Sequence, residues 1–408
     1  MNSRGTTIKH TLILLSTLLL AKPLPAAQSV NPPAPENSTS EDPVSSESPP
    51  IPKPAKAERP PVTRLSAIAK GLKWIGKAVD EPEYYVWCTS PIQGPDGKIH
   101  LFCSRWPKKI GMGGWTSHSE IAHYIGDHPA GPFRFADVAI GANPGAPWNN
   151  SISNPAIFRF GQKYALLYIT FDRRPDSPFR KGETPGCGKM YTCLATADTL
   201  SGPWVKQGND GMIVEPSNDP THWTYQSWSL DNPTMLANGG KYYIYFKGAK
   251  TQGKSRYGYA VADRLEGPYK LGDALITENI SYIEDATAFE WNGKIRLVTN
   301  DNHGKHTGIP GAGILWTSDT PTEFKLADAT IAFLHTTDYA KDVDMSKARK
   351  LYGGKFKFER PGILMLDGKP AYFYGPSGIN LDGDDHTVSY VMKIDLNEGV
   401  GSGEQPKQ

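Results

Sequence analysis

Four carboxylic acids stand at the beginning of short apolar segments in the second half of the chain. They are Asp231, Glu284, Asp285 and Glu359. When several carboxyl groups share a small pit, like charges cannot all ionise cheaply, so one group keeps its proton while another stays ionised. Such a set can supply a general acid and a general base. Adjacent strand residues point to opposite faces, so we expect Glu284 rather than Asp285 to face a ligand, with Asp285 as the replacement if the register slips by one.

Polar residues recur at matching places along the chain. Ser90, Asn154, Asn232 and Arg360 each precede a proline, and Asp285 takes the same place in a fifth phrase without one. Any one of these residues would suit a strand end that meets solvent. Five copies at matching places favour a shared binding site instead.

These phrases belong to a repeat. Each copy has a short apolar strand, a turn containing Gly and Lys, and a strand rich in β-branched or aromatic residues, as in "NPTMLANGGKYYIYFKG" at 232–248. A second phrase follows the first four copies, for example "RYGYAVADRLEGPYKL" at 256–271. The fifth copy is followed only by the strand "HTVSYVMKIDL" at 386–396.

Four strands per unit and five units predict an all-β fold, a five-bladed β-propeller of four-stranded antiparallel blades. A plain antiparallel meander would explain any single hairpin, but five matched pairs of phrases disfavour it. The short fifth copy fits a blade that borrows a strand from the other terminus. Residues 67–79 have helical apolar spacing, and we expect them to pack across the propeller rather than complete it.

The ends of the chain differ in composition from its middle. Residues 1–27 have the basic start, apolar run and small-residue end of a signal peptide, which predicts a secreted or periplasmic protein without a membrane anchor after cleavage. Residues 28–62 are rich in Pro and Ser and predict a disordered linker. The catalytic domain is expected at 63–396, followed by a flexible tail at 397–408.

Charge and motifs exclude several classes of partner. With 44 Lys and Arg against 42 Asp and Glu, the chain gives no reason to expect nucleic acid. No phosphate-binding loop, dinucleotide fingerprint, nucleophile elbow or zincin motif is present, so no cofactor is expected. A metal site built from Asp301, His303 and His306 is only weakly specified, and we assign none.

The chain has four cysteines, and two disulfides are plausible in an exported protein. Cys187 and Cys193 bracket a small loop. Cys88 and Cys103 flank the first hairpin, where they either pair or remain two buried thiols.

Over residues 80–396 the chain resembles the five-bladed propeller glycoside hydrolases of family 43 and its relatives, families 32, 68 and 117. The resemblance lies in the phrase "NPTMLANGGKYYIYFKG" and in the blade-closing turn "DRLEGPYK". It implies a base Asp before a proline in the first blade, an orienting Asp in the third and an acid Glu in the fourth.

Carried over to this sequence, the resemblance places Glu284 of "YIEDATAF" at the acid position. Asp231 lies one residue before the third-blade position, which Asn232 occupies, and Ser90 replaces the first-blade base. Asp231 or Glu359 is then expected to act as base or orienting group. Family 117 is understood to use a histidine as acid, which makes His303 the substitute candidate.

Other side chains could hold a sugar. Trp87 can stack on a sugar ring, and Arg360 and Arg105 can bind an acidic sugar or pair with a pit acid. The sequence thus predicts an exo-acting glycoside hydrolase that releases a terminal sugar from an oligo- or polysaccharide. The alternative is a non-catalytic carbohydrate-binding propeller that has lost the family 43-type base.

Overall fold

The computed structural model describes residues 62–173, 189–225, 227, 229–249, 255–353 and 356–399. Nearly all regular structure in these residues is β, and the two α-helices are short: α1 (Ala67–Gly71) and α2 (Thr336–Tyr339). Short 3-10 helices lie at Lys108–Ile110, Met112–Thr116, Leu326–Asp328, Met345–Lys347 and Leu396–Gly399. Within the described part of the chain, no helix combines the length and apolarity that a membrane span requires.

The N-terminal segment changes from helix to strand after one turn. Ser66 caps α1 by accepting a hydrogen bond from the Ala69 N–H at 3.0 Å. Strand β1 (Leu72–Val79) follows directly. Gly71 lies so close to the Asp395 backbone that a Cβ atom there would meet the Asp395 carbonyl oxygen at 2.2 Å. This contact places Gly71 against the residue that follows the last strand, Ser389–Ile394. Residues 72–79 pair with that strand as a strand of their own, so the helix predicted for 67–79 is wrong beyond Gly71.

The next sixteen strands form four antiparallel units of four strands each, paired in chain order. Unit 1 contains β2 (Tyr84–Gln93), β3 (Ile99–Pro107), β4 (Glu120–Gly126) and β5 (Arg134–Ile140). Unit 2 contains β6 (Trp148–Phe160), β7 (Lys163–Asp172), β8 (Lys189–Ala197) and β9 (Val205–Lys206). Unit 3 contains β10 (Ser229–Asn238), β11 (Lys241–Ala249), β12 (Arg256–Ala262) and β13 (Lys270–Leu275). Unit 4 contains β14 (Ile283–Trp291), β15 (Lys294–Asp301), β16 (Ala312–Ser318) and β17 (Thr330–Phe333).

Unit 5 combines both ends of the folded chain. The remaining strands are β18 (Arg349–Lys350), β19 (Gly362–Leu366), β20 (Lys369–Pro376), β21 (Ile379–Asn380) and β22 (Ser389–Ile394). Strands β19, β20 and β22 form a sheet whose fourth strand is β1, antiparallel to β22. A strand from the N-terminal side completes the last unit, as expected, but it comes from the segment predicted to pack across the fold.

Each unit buries apolar side chains against its neighbours. Separate clusters lie between units 1 and 2, 2 and 3, 3 and 4, 4 and 5, and 5 and 1. In the last of these, Val86 and Leu101 of unit 1 pack with Leu364 and Val391 of unit 5. The first strand of every unit lines one shared cavity, and we call β2, β6, β10, β14 and β19 the inner strands.

The role of β1 can be tested with two aliphatic residues three positions apart. Leu72 is 5% exposed in the cluster between units 4 and 5, whereas Ile75 is 42% exposed. Leu72→Ala should lower the free energy of unfolding by about 3 kcal/mol, measured by urea denaturation. The matched control Ile75→Ala should change it by less than about 1 kcal/mol. Equal effects of the two substitutions would contradict the placement of β1 in unit 5.

Candidate active site

One residue at the same place in each unit has a left-handed backbone. These residues are Cys88, Asn154, Asn232, Asp285 and Arg360, with φ between 45° and 63°. In the first four units the pairing of the inner strand with its neighbour shifts at this point. Such a bulge interrupts the alternation of side chains along a strand. Two consecutive side chains can then face the same space.

The bulge corrects two expectations from the sequence. Glu284 and Asp285 both line the same pocket, although strict alternation predicted only one of them there. Register also shows that Cys88, not Ser90, corresponds to Asn154 and Asn232.

Ser90 lies two residues beyond the bulge position of unit 1. Its Oγ accepts a hydrogen bond from the Ile157 N–H at 3.0 Å, and it lines a second cavity beyond the bulges. The alignment of its proline with the other prolines was misleading, and the residues at the first-unit site position are Trp87 and Cys88.

Residues at or next to the five left-handed positions line a pocket of about 640 Å³, which we call the acidic pocket. All four predicted acids line it: Asp231, Glu284, Asp285 and Glu359. Its other polar or aromatic lining residues include Trp87, Cys88, Asn154, Asn232, Lys247, His303, Tyr352 and Lys357. The sequence also predicts seven site residues that are not acids. Four of them line this pocket: Trp87, Asn154, Asn232 and His303.

Lys247 of β11 links two of the acids. Its Nζ lies 2.9 Å from Glu284 Oε2 and 3.4 Å from Asp231 Oδ1. Burial alone would raise the pKa of Glu284, but the ammonium groups of Lys247 and Lys357 outweigh it and hold that pKa below its usual range. Burial raises the pKa of Asp231 to about 6 although Lys247 opposes the rise. Glu284 is therefore ionised at neutral pH, and it loses its proton at lower pH than Asp231 does.

The pKa of Glu359 is raised, whereas that of Glu284 is lowered. Its side chain is 8% exposed, and Oε1 accepts a hydrogen bond from Lys357 Nζ at 2.8 Å. Burial, together with the negative charges of Asp285 and Glu284, raises the pKa of Glu359 to about 8 despite Lys357. Lys357 also donates to Asn302 Oδ1 at 2.7 Å. Glu359 can therefore hold a proton at neutral pH.

Asp285 is held by three donors from three different units. Oδ1 accepts from Asn232 Nδ2 at 2.8 Å, and Oδ2 accepts from Asn300 Nδ2 at 3.0 Å and from the Arg360 N–H at 3.1 Å. Burial and the charge of Glu284 raise the pKa of Asp285, whereas Arg360 opposes the rise. This network orients the carboxyl group beside Glu284.

The first unit contributes a thiol where the resemblance implies a base. Cys88 Sγ donates to Asn154 Oδ1 at 3.0 Å, and burial holds the pKa of this thiol well above its usual range. Cys103 is also a free buried thiol, 3.5 Å from Thr89 Oγ1. Of the two alternatives for Cys88 and Cys103, a disulfide or two buried thiols, the structure has the two thiols. Cys193 is a buried free thiol, and Cys187 lies outside the described residues.

Aromatic and histidine side chains form part of the pocket wall. Trp87 meets Tyr352 edge to face, with ring centroids 5.9 Å apart. The exposed His303 packs against Tyr282 in the same way at 5.2 Å. Asp301 does not join a metal site with His303, because its carboxylate accepts the backbone N–H groups of Lys305, His306 and Thr307.

Neither predicted arginine faces the acidic pocket. Arg105 pairs with Glu81 and Glu120, both at 3.0 Å, under the ring of Phe135. Arg360 is 4% exposed and directs its guanidinium to backbone carbonyl groups. The assignment of both residues to substrate binding is therefore not supported by their positions.

Sequence reasoning missed Cys88, Lys247, Lys357 and Tyr352. Lys247 could have been found, because it lies in the hairpin strand that pairs with Asp231. Lys357 and Tyr352 belong to the segment before unit 5, where no repeat phrase marked them.

The link through Lys247 predicts a pH-dependent loss of stability. In Lys247→Met the buried carboxyl groups lose their cation and their folded-state pKa values rise. Stability is then lost as pH increases from the unfolded-state pKa toward the folded-state pKa, so the loss should be larger at pH 8 than at pH 5. We expect a loss of about 3 kcal/mol at pH 8 in urea denaturation.

Lys241→Met is the matched control, because Lys241 lies on the same strand in an exposed pair with Asp263. It should leave the unfolding curve nearly unchanged at both pH values. A loss for Lys247→Met that does not depend on pH would show that the ion pairs do not set these pKa values.

Comparisons with known proteins agree with this fold. No known family model matches the chain, and no curated protein matches it. A family 117 glycoside hydrolase from the marine bacterium Zobellia galactanivorans is similar with a TM-score of 0.54 and 15% identity, over 81% of this chain and 92% of its own. A structure described as a glycoside hydrolase has a TM-score of 0.56 and 12% identity, covering 85% and 95% of the two chains.

Sucrose-6-phosphate hydrolase from Lactobacillus gasseri has a TM-score of 0.52 and 15% identity, over 79% of this chain and 60% of its own. At these identities the similarity shows the fold alone. This chain is a nearly all-β protein that shares its fold with glycoside hydrolases.

Proposed function

We propose that this chain is a secreted, exo-acting glycoside hydrolase whose five units are the blades of a propeller and whose catalytic centre is the acidic pocket. The observation that carries the proposal is the presence of two glutamates with opposite pKa tendencies in one pocket. Glu284 is held ionised beside Lys247, and Glu359 is held protonated by burial. An acid and a carboxylate are what glycoside hydrolysis requires.

Glu359 is assigned as the general acid. Its proton passes to the glycosidic oxygen as the bond from that oxygen to the anomeric carbon breaks. Glu284 accepts a proton from the water that attacks the anomeric carbon, and the products are a free sugar and an alcohol. The resemblance implied Glu284 as the acid, but a pKa below the usual range favours the ionised role.

Asp231 and Asp285 support this pair. Asp231 shares Lys247 with Glu284 and so tunes how strongly that cation holds the carboxylate. Asp285 adds negative charge next to both glutamates, which favours the protonated form of Glu359. These roles agree with a site in which neighbouring carboxyl groups separate each other's pKa values.

The pocket wall suits a terminal sugar unit. Trp87 and Tyr352 offer apolar ring surface for the C–H face of a sugar, and Asn154 and His303 offer hydrogen bonds. The side chain of Arg360 lies between the acidic pocket and the second cavity. The two cavities have no lining residue in common, and a pocket of this kind suits one terminal sugar unit, which supports action at chain ends.

A carbohydrate-binding protein without catalysis is the second candidate. Cys88 favours it, because the thiol stands where the resemblance implies a base and its high pKa keeps it neutral. The substrate or ligand in either case is an oligo- or polysaccharide, and export rests on residues 1–27. The two candidates differ in whether the parent protein turns over any glycoside that it binds.

Glu359→Gln tests the acid assignment. A panel of 4-nitrophenyl glycosides first identifies a sugar that the parent protein hydrolyses. For the matched alkyl glycoside, kcat should fall by about 10³-fold in the variant, because the leaving alkoxide needs a proton. For the 2,4-dinitrophenyl glycoside the fall should be far smaller, because that leaving group departs without protonation.

Glu266→Gln, an exposed acid in a turn of unit 3, is the control and should keep parent rates on both substrates. Equal losses on both leaving groups would reject Glu359 as the acid. Binding of an oligosaccharide by calorimetry without turnover of any panel member would instead establish the binding protein.

The two pKa directions also predict a pH profile. The value of kcat/KM should fall above about pH 8 as Glu359 loses its proton. The acid limb, set by Glu284, should lie below the usual glutamate range and should move to higher pH in Lys247→Met. Steady-state rates between pH 3 and pH 10 provide the measurement. An alkaline limb that persists in Glu359→Gln would exclude this residue as its source.

A further inference from the structure

Arg360 lies at the boundary between the residues that line the two cavities. Glu359, immediately before it, lines the acidic pocket, while Arg360 lines the second cavity of about 450 Å³. The residue is 4% exposed and has a left-handed backbone at φ 45°. A buried arginine in a costly backbone conformation requires strong compensating contacts.

Those contacts reach three other units. Nη2 donates to the carbonyl oxygens of Asn154 at 3.1 Å and Pro233 at 3.0 Å, and Nη1 donates to that of Ala286 at 3.4 Å. The backbone N–H of the same residue donates to Asp285 Oδ2 at 3.1 Å. One side chain of unit 5 therefore binds units 2, 3 and 4 at their bulges.

We propose that Arg360 is a positioning residue: its guanidinium is an internal cation that closes the ring centre and neutralises the carboxyl groups above it. It acts through the bulges and through charge, and it does not bind substrate. The planar guanidinium suits this place because it is always charged and offers several donors in one plane. A lysine would keep the charge but could not hold three carbonyl groups in the same way.

The charges around Arg360 support the electrostatic half of the proposal. Its charge opposes the burial-driven rise in the pKa of Asp231 and of Asp285, and it acts in the same direction on Cys88. Tyr257 of β12 faces it as well. The other titratable groups that line the pocket are Glu284, Glu359, Lys247, Lys357, His303, Tyr282 and Tyr352. Without Arg360, the carboxyl groups would lose one of the buried cations that offset their charge.

Arg360→Met removes both the donors and the charge, whereas Arg360→Lys removes the carbonyl clamp and keeps the charge. In the methionine variant the folded-state pKa values of Asp231 and Asp285 rise, so stability is lost increasingly from pH 5 to pH 8. We expect Tm, measured by scanning calorimetry, to fall by roughly 6–10 °C at pH 8 and clearly less at pH 5. The lysine variant should lose stability equally at both pH values.

Arg159→Met is the matched control, because Arg159 lines the same cavity but donates to Gly161 in its own turn. Its Tm should stay at the parent value. If Arg360→Met does not fold, Arg360→Gln replaces it, because the amide keeps donors without charge. A parent-like Tm in the uncharged variant would overturn the clamp, and a loss independent of pH would overturn the charge role.

The catalytic consequence rests on the proposed function, but the stability measurements do not. In an active enzyme, Arg360→Lys should lower kcat and leave KM within about twofold, because the lost clamp holds the Ala286 carbonyl next to Asp285 and not the sugar. A higher KM with unchanged kcat would instead identify Arg360 as a substrate ligand. If the parent protein hydrolyses no glycoside, the proposed function fails while the Tm series still decides the inference.

Discussion

The whole site depends on a left-handed backbone residue in or just before each inner strand, which forms a bulge in units 1 to 4. Five strands meet around one centre, and a regular strand would direct only every second side chain inward. The left-handed residue at each bulge lets neighbours such as Glu284 and Asp285 face the same pocket. The pocket therefore contains more carboxyl groups than strict alternation would allow, at the cost of a strained backbone position in every unit.

That concentration of acids creates an electrostatic problem which buried cations offset. Lys247 pairs with Asp231 and Glu284, Lys357 pairs with Glu359, and the charge of Arg360 opposes the rise in the pKa of Asp285. Two of these contacts, Lys247 with Glu284 and Arg360 with Asp285, join residues of different units, so the charge balance is complete only when the units pack together. The charged neighbours that packing brings to each group then separate the pKa values of Glu284 and Glu359, and the same packing that stabilises the fold prepares the chemistry that we propose.

The repeat phrases predicted the β organisation, the hairpins and the acids, because the pattern of apolar strands and Gly-containing turns is local. Unit 1 was misaligned, since Pro91 follows the bulge by three residues while Pro155 and Pro233 follow theirs by one. The segment 67–79 was also misjudged. Its apolar spacing suits a helix, yet the free edge of β22 provides hydrogen-bond partners that the local pattern does not reveal.

The amino-acid sequence sets which side chains are available, namely four acids close to the starts of the inner strands and Lys247 in the strand that pairs with Asp231. What those groups do depends on how the folded chain surrounds them. In the sequence, Arg360 and Arg105 look like cations available to a ligand. In the fold, Arg360 donates to backbone carbonyl groups and Arg105 pairs with Glu81. Glu284 and Glu359, chemically identical, differ in protonation because one lies between two ammonium groups and the other is more deeply buried beside like charges. Protonation depends on burial and on neighbours distant in the chain, and these exist only after folding.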